Sequence, residues 1–340
     1  MHNFKLSVAV CTCNGEQYIA EQLYSILQQT CPVHEIIISD DCSNDSTVAI
    51  ASRILQKNNV TYRIFRNPER LGVTKNFEQA IRCCSGNIIL TSDQDDLWKP
   101  EKTKIILKCF AADPDCVMVF SDADVIDGCG NRICNSLYEK DGFMQAGDKD
   151  GDYVDKVLRL GYTVYGCTMA FRKDLADKIV PFFESEANHD AWIMCCAGMH
   201  GNVRYIPETL ISYRIHGSNV VGSLTGNPKW ERIIADRDRY EQHFAIHKLR
   251  ELRVELLEEA LKRNNIKNSY TTECRKCVVF YHGLLQAKGK RIPGIWFLFR
   301  SLLTGRYIYR FCDRGVKLSP SFMLKQFVCD IMFIIKWRNQ

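Results

Sequence analysis

Carboxylates at predicted strand ends are the residues in this chain best placed to do chemistry. Asp40 and Asp41 follow the apolar run EIIIS (35–39), and Asp93-Gln94-Asp95-Asp96 follows NIILTS (87–92). In open parallel sheets, ligands settle beyond the carboxyl ends of the strands. Asp93 and Asp95 form a DxD, and carboxylates one residue apart in such a loop can converge on a hard divalent cation, Mg²⁺ or Mn²⁺, carrying a diphosphate. The same acids can equally cap the helix that follows, and spacing alone does not choose between the two. His216, after Tyr213-Arg214-Ile215, has three readings: a further cation ligand, a donor to the diphosphate, or a loop histidine tied to backbone. Arg214 is a candidate phosphate partner. Asp190 opens a predicted helix, where an aspartate commonly serves as N-cap.

Other motifs fail on their spacing. The turn after the first strand is Cys13-Asn14-Gly15-Glu16-Gln17, with no GxGxxG, and no GxxxxGK[ST] occurs. A dinucleotide oxidoreductase and a P-loop enzyme are therefore poorly supported. In DKDGDYVD (148–155) the glycine stands fourth rather than sixth and Arg159 replaces the closing Glu, so the segment is no EF-hand. Cys274 and Cys277 form a CxxC with no second pair to complete four zinc ligands, which favours a helix face. No GxSxG or triad signature offers a nucleophile.

The elements that must position these acids alternate strand and helix. Strands are predicted at 5–12, 35–39, 60–65, 87–92 and 116–121, with helices after the first at Ile19, Leu23, Ile26 and Leu27, up to about Lys57, and over 74–84. That order specifies an α/β protein with a Rossmann-like, doubly wound, mostly parallel sheet. Beyond 121 the pattern loosens. Asp127-Gly128-Cys129-Gly130-Asn131 reads as a hairpin turn, 166–172 and 202–215 as strands, 188–200 as a helix, and 230–267 as charged helix.

Composition sets the outer bounds. The 340 residues are 46% hydrophobic and 25% charged, which excludes a disordered or collagen-like chain. The net charge of +5 is uneven: residues 286–340 hold 11 Lys/Arg against 2 Asp/Glu, a net of +9, and the rest of the chain sums to −4. A local basic region argues for one anionic partner, a membrane face or a phosphate-rich ligand, and against a nucleic-acid-coating surface. The 17 cysteines fall largely at apolar positions (Cys11 and Cys13 by a strand, Cys83, Cys84, Cys195 and Cys196 on helices), where cysteine acts as a small hydrophobe. The expectation is a reduced, cytoplasmic protein with no signal peptide and no membrane span.

Five segments taken in order, SVAVCTCNGEQYIAEQLYSILQQT, IIISDDCSNDST, NIILTSDQDDLWKPEK, NHDAW and YRIHGSNVVG, resemble a family 2 glycosyltransferase of the GT-A fold. DQDDLW and YRIHGSNVVG are most similar to rhamnosyltransferase-type members that build bacterial surface polysaccharides. The resemblance implies a GT-A catalytic domain over 1–222 and a helical, basic extension over 223–340. It implies that Asp41 faces the nucleobase while Asp40 closes the turn, that Asp93 lies near ribose or metal, and that Asp95 is the main cation ligand with Asp96 and Trp98 shaping the site. By the same resemblance, Cys11 and Cys13 lie near the nucleotide, Lys75 and Asn76 at the donor site, and Asp190 is the general base. Many relatives carry Glu where this chain has His189.

The implied reaction is an inverting single displacement. A sugar moves from a nucleotide-sugar donor (dTDP-rhamnose or a UDP-sugar) to a hydroxyl of a lipid-linked or oligosaccharide acceptor, with Mg²⁺ or Mn²⁺ as cofactor. A non-catalytic nucleotide-sugar-binding module and a nucleotidyltransferase are the rivals. Residues 321–338, wound at 100° per residue, confine most polar side chains to one arc. With Trp337 and basic flanks they read either as an in-plane helix on the inner leaflet or as a helix packed on the domain. Residues 292–303 are a second candidate contact.

Overall fold

The computed structural model describes residues 4–140, 164–183 and 189–216, with isolated positions between 255 and 327. Apart from those positions, the segments expected at 148–155, 230–267, 274–277 and 321–338 lie outside the described residues.

The apolar runs become the centre of one sheet. Strands β1 (Leu6–Thr12), β2 (Glu35–Asp40) and β4 (Ile88–Ser92) are buried at every position, as strands covered on both faces must be. They pair in parallel, with Val8 opposite both Ile36 and Leu90. Strand β3 (Thr61–Arg66) pairs outside β2 and has no fully buried residue, which makes it the edge. Helices α1 (Ile19–Leu27), α2 (Thr47–Gln56) and α3 (Val73–Cys83) connect these strands. Each buries one stripe at helical spacing: Ile19, Leu23 and Ile26; Ala51, Ile54 and Leu55; Phe77, Ala80 and Ile81.

The second half is mixed. It runs β5 (Leu97–Trp98), α4 (Lys102–Ala112), β6 (Cys116–Ile126), β7 (Arg132–Cys134), α5 (Leu137–Lys140), a 3₁₀ turn (Gly166–Thr168), β8 (Met169–Arg172), α6 (Lys173–Ile179), α7 (His189–His200) and β9 (Asn202–Arg214). The sheet order is β3-β2-β1-β4-β8-β6-β9-β5, with β7 beside β6. Strand β8 is antiparallel to β4 and β6, whereas β6 and β9 are parallel. Strands β1 to β4, β6 and β9 therefore share one direction, and β8 runs against them. The mostly parallel sheet is as expected; the short strands β5 and β7 are also reversed, each beside a single neighbour, and β8 is the reversal in the body of the sheet.

Three local differences have physical causes. The strand expected to stop at 121 continues to Ile126, because its acids are satisfied inside the sheet. Asp122 accepts from Ser136 Oγ at 2.5 Å, and Asp124 accepts from Ser212 Oγ at 2.8 Å and pairs with Lys99 and Arg132. The strand expected from 166 begins only at Met169, after the 3₁₀ turn. Helix α6 follows β8 without an intervening loop. The predicted hairpin turn is present: Asp127 N donates to Asn131 O at 2.8 Å and Gly130 takes a positive φ of 87°. Cys11, Cys84, Cys195 and Cys196 are buried free thiols, as small hydrophobes should be, while Cys13 and Cys83 are half-buried.

By compactness the chain divides into two units, one of Met1–Val154, Thr163–Glu184 and Asn188–Leu224, the other of Asp155–Tyr162, Ser185–Ala187 and Thr225–Gln340. Among the described residues, no helix is long and apolar enough to cross a membrane.

Candidate active site

Parallel strands in register end at one edge, and the acids lie there. Thr12 stands opposite Asp40, and Val10 opposite Ser92. Asp40 closes the turn after β2: its Oδ1 accepts from Thr12 Oγ1 at 2.8 Å and its Oδ2 from Ser43 N at 3.0 Å. Asp41 turns the other way, toward the start of α3. Its carboxylate accepts from Leu71 N at 2.6 Å, Gly72 N at 3.0 Å and Asn67 Nδ2 at 3.2 Å. A carboxylate has about four acceptor positions, so one remains for a ligand N–H. Asn76 is buried and braces this loop, donating to Ser39 O at 2.9 Å and accepting from Asn67. Lys75, one residue earlier, is exposed.

The end of β1 is tied to the β4–β5 loop by a residue that sequence reasoning passed over. Gln94, the middle residue of the DxD, donates from Nε2 to Cys13 O at 3.0 Å and accepts from Cys13 N at 2.8 Å. A Cβ on Gly15 would sit 2.1 Å from Gln94 Oε1. The glycine in the turn after β1 was the available signal of that close approach. Cys13 also donates from its thiol to Asp41 O at 3.5 Å. Burial, and then the charges of Asp93 and Asp41, push the Cys11 thiol well above its ordinary range, so it is no nucleophile.

The DxD acids separate into two groups. Asp93 and Asp96 gather with Cys167, one ligand atom from each lying within 4.8 Å of the others. Burial raises both carboxyls above the usual range; repulsion from Asp96, Asp95 and Asp190 adds to it at Asp93, and repulsion from Asp95 adds to it at Asp96. Asp96 is 1% exposed and accepts from Arg214 N at 3.1 Å, while its Oδ2 has no nitrogen or oxygen partner among the described residues. Below the acids lies Lys102, wholly buried, its Nζ donating to Cys167 O at 3.0 Å and 4.2 Å from the Trp98 ring centre. Desolvation lowers its pKa to about 7. Nothing in the sequence marked Lys102 as more than a surface helix residue.

Asp95 pairs instead with His216, Oδ2 to Nε2 at 2.8 Å, and both side chains keep some exposure. Arg214 is buried, with its guanidinium on Asp95 O, Gly128 O and Glu21. Those partners are all protein atoms and engage three of its five N–H donors.

Asp190 opens α7 with 7% exposure, and its Oδ1 accepts from the next backbone N–H, Ala191, at 2.6 Å. Its charge reaches Asp93, which ties it to the acid edge. His189 points away from water. Its ring stacks on Phe77 with centres 4.0 Å apart and planes at 18°, and neither ring nitrogen has a hydrogen-bond partner among the described residues. Burial lowers its pKa to about 3, so it stays neutral and supplies no acid. Gly166 makes room for it: a Cβ there would meet His189 Nε2 at 2.6 Å.

A carboxylate-rich edge on a sheet of this order is what a nucleotide-sugar transferase would need, and comparison with known proteins gives it a family. The sequence profile of glycosyl transferase family 2 matches residues 7–180. TuaG of Bacillus subtilis (strain 168), named for teichuronic acid biosynthesis, is 31% identical over 236 residues, covering 68% of this chain and 86% of that protein. The dTDP-rhamnosyl transferase RfbG of Shigella flexneri is 27% identical over 242 residues, covering 67% and 79%. The chain spans 66% of the length of two further curated relatives. The crystal structure of S. aureus TarS 1–349 in complex with UDP-GlcNAc superposes with a TM-score of 0.56 at 16% identity, over 97% of this chain and 90% of that one. The likeness to TarS bears on fold alone and agrees with the GT-A architecture. The chain belongs to glycosyl transferase family 2.

Proposed function

We propose that this chain transfers a sugar, with inversion, from a nucleoside-diphosphate donor to a hydroxyl of a growing surface glycan. What supports the reading is the cluster of Asp93, Asp95 and Asp96 after β4, with His216 on Asp95 and with Asp190 adding to the charge that raises the Asp93 pKa. The remaining acceptor position on Asp41 suits the imide N–H of uracil or thymine. RfbG is named for dTDP-rhamnose chemistry and TarS has been crystallised with UDP and UDP-GlcNAc, so both nucleotides are candidates here.

Asp190 would take the proton from the acceptor hydroxyl as the oxygen attacks the anomeric carbon, from the face opposite the leaving diphosphate. General-base help of this kind is worth about 10²–10⁴-fold. The bond to Ala191 N holds the carboxylate in one orientation, which lowers the cost of aiming it. The donor set also fits a divalent cation. Asp95 and His216 offer oxygen and imidazole nitrogen from a partly exposed pair, and Asp93 and Asp96 stand behind with raised pKa values that a cation would relieve. Bound there, Mg²⁺ or Mn²⁺ would neutralise charge on the leaving diphosphate.

For the extension, exposed Trp296 and Phe299 together with the net charge of +9 over 286–340 favour peripheral attachment to an anionic inner leaflet, where a lipid-linked acceptor would lie. The deciding experiment screens dTDP- and UDP-sugars for nucleoside diphosphate release, followed by mass spectrometry of a lipid-linked acceptor. Asp190→Asn is expected to cut turnover by about 10²–10⁴-fold with donor binding retained, and near wild-type turnover would remove Asp190 as base. Release of pyrophosphate would mean a nucleotidyltransferase, and binding without turnover a non-catalytic module.

A further inference from the structure

Arg214 is the last residue of β9 and only 2% exposed. A buried guanidinium must satisfy its fixed fork of donors, and this one does so on three different segments. Nε donates to Asp95 O at 2.8 Å in the β4–β5 loop, Nη1 to Gly128 O at 3.3 Å in the β6–β7 turn, and Nη2 to Glu21 Oε2 at 2.7 Å on α1. Its flat face lies over Tyr18, 4.7 Å from the ring centre. The backbone of the same residue donates to Asp96 Oδ1 at 3.1 Å.

Two residues further on, His216 meets Asp95 Oδ2 at 2.8 Å, and its ring centre lies 4.9 Å from that of Tyr18. The turn is close as well: a Cβ on Gly128 would come 3.2 Å from Tyr18 Oη and 3.8 Å from His216 Cβ. Asp95 is thus held at its backbone by Arg214 and at its carboxylate by His216, and Tyr18 lies against both of those side chains.

We propose that Arg214 is a positioning residue, fixing Asp95 and His216 in a preformed pair for a divalent cation rather than binding the donor diphosphate itself. The inference rests on the reading of Asp95 and His216 as cation ligands. Preorganisation is the source of the effect. A loop carboxylate and a strand-end imidazole free to move must be ordered when the cation binds, and that cost appears as lost affinity. Lysine keeps the charge but presents a compact ammonium, which cannot replace a planar fork spanning three acceptors.

The test measures Mn²⁺ binding by electron paramagnetic resonance in the presence of UDP, and UDP binding by calorimetry in EDTA, on the full chain. Arg214→Lys is expected to weaken Mn²⁺ binding by about tenfold or more, the equivalent of about 1.4 kcal/mol, and to leave metal-free UDP binding unchanged. Because loss of a buried arginine can unfold a protein, Glu21→Ala is the companion. Its side chain is 59% exposed, and the substitution removes only the outer partner of Arg214. It should weaken Mn²⁺ binding in the same direction, by a smaller factor. Loss of metal-free UDP binding in Arg214→Lys with Mn²⁺ binding intact would make Arg214 a phosphate ligand and overturn the proposal. Wild-type Mn²⁺ affinity in Glu21→Ala and in a folded Arg214→Lys would overturn it too. If the wild-type chain itself binds no Mn²⁺ with UDP present, the cation reading of Asp95 and His216 fails first.

Discussion

Substituting His189 by phenylalanine isolates one buried titratable group beside Asp190. In the fold, the imidazole stacks on Phe77, is 4% exposed, and is held neutral down to a pKa of about 3. In the unfolded chain it titrates near 6.5. The folded-state pKa is the lower of the two, so the unfolded state binds the extra proton as pH falls. The contribution of His189 is therefore whole above about pH 6.5 and drains away as pH drops toward 3. At pH 5 the gap amounts to about 2 kcal/mol, from about 1.5 pH units at 1.36 kcal/mol each. For a folding unit of this size that is an extra fall in Tm of about 4–8 °C between pH 7.5 and pH 5. Phenylalanine keeps the stack and cannot titrate. Any constant packing cost cancels when each protein is compared with itself at the two pH values, and the carboxylates they share cancel between them. Urea unfolding of both proteins at pH 7.5 and pH 5 reads the double difference. Wild type should lose about 2 kcal/mol more than His189→Phe, and equal losses would refute a neutral, unpartnered imidazole in this position.

Lys102→Met leaves Cys167 O without its donor and takes from buried Asp96 a charge that offsets its own, so stability should fall, by about 3–5 kcal/mol. Mn²⁺ binding should hold or tighten, because a positive charge beside Asp96 that repels the cation is gone. An unchanged or raised Tm would show that desolvation of the ammonium outweighs its bond to Cys167 O. In the extension, Trp296→Ser combined with Phe299→Ser is expected to reduce flotation of the full chain with anionic liposomes at low salt. Unchanged flotation would reject an aromatic membrane contact.

Much of the sheet was legible because its central strands are apolar at nearly every position. Strands buried on both faces need that composition, and turns rich in Asp, Asn, Ser and Gly separate them. The strand end after residue 92 was equally plain, since acids cannot continue a buried strand unless something satisfies them, as Thr12 and Ser43 satisfy Asp40 in the last place of β2. The same rule failed at β6. Asp122 and Asp124 remain inside the strand because Ser136, Ser212, Lys99 and Arg132, all distant in sequence, supply their partners. Gln94 and Lys102 were missed for a related reason. Their roles depend on Cys13 and on Cys167; only the first leaves a trace in the sequence, Gly15, and that lies about 80 residues from Gln94.

The reversal of β8 explains why part of the site escaped a reading built on parallel strands. In a sheet whose strands all run one way, only residues after a strand reach the ligand edge, so attention falls on Asp41, Asp93 and Asp95. An antiparallel strand delivers the residues before it to that edge. The 3₁₀ turn Gly166–Thr168 precedes β8, and this is how Cys167 comes to stand against Asp93 and Asp96 while Gly166 receives the ring of His189. Thr91 Oγ1, in β4, donates to the carbonyl of Gly166 and binds that turn to the neighbouring strand. Because β8 lies between β4 and β6, the turn before it must open between the DxD loop and the half of the sheet that ends in His216. One reversed strand of four residues thus joins the floor beneath the DxD acids to the packing that seats α7 and Asp190. Enlarging Gly166 should disturb both at once, whereas enlarging Gly15, whose neighbour is Gln94, should disturb only the donor side.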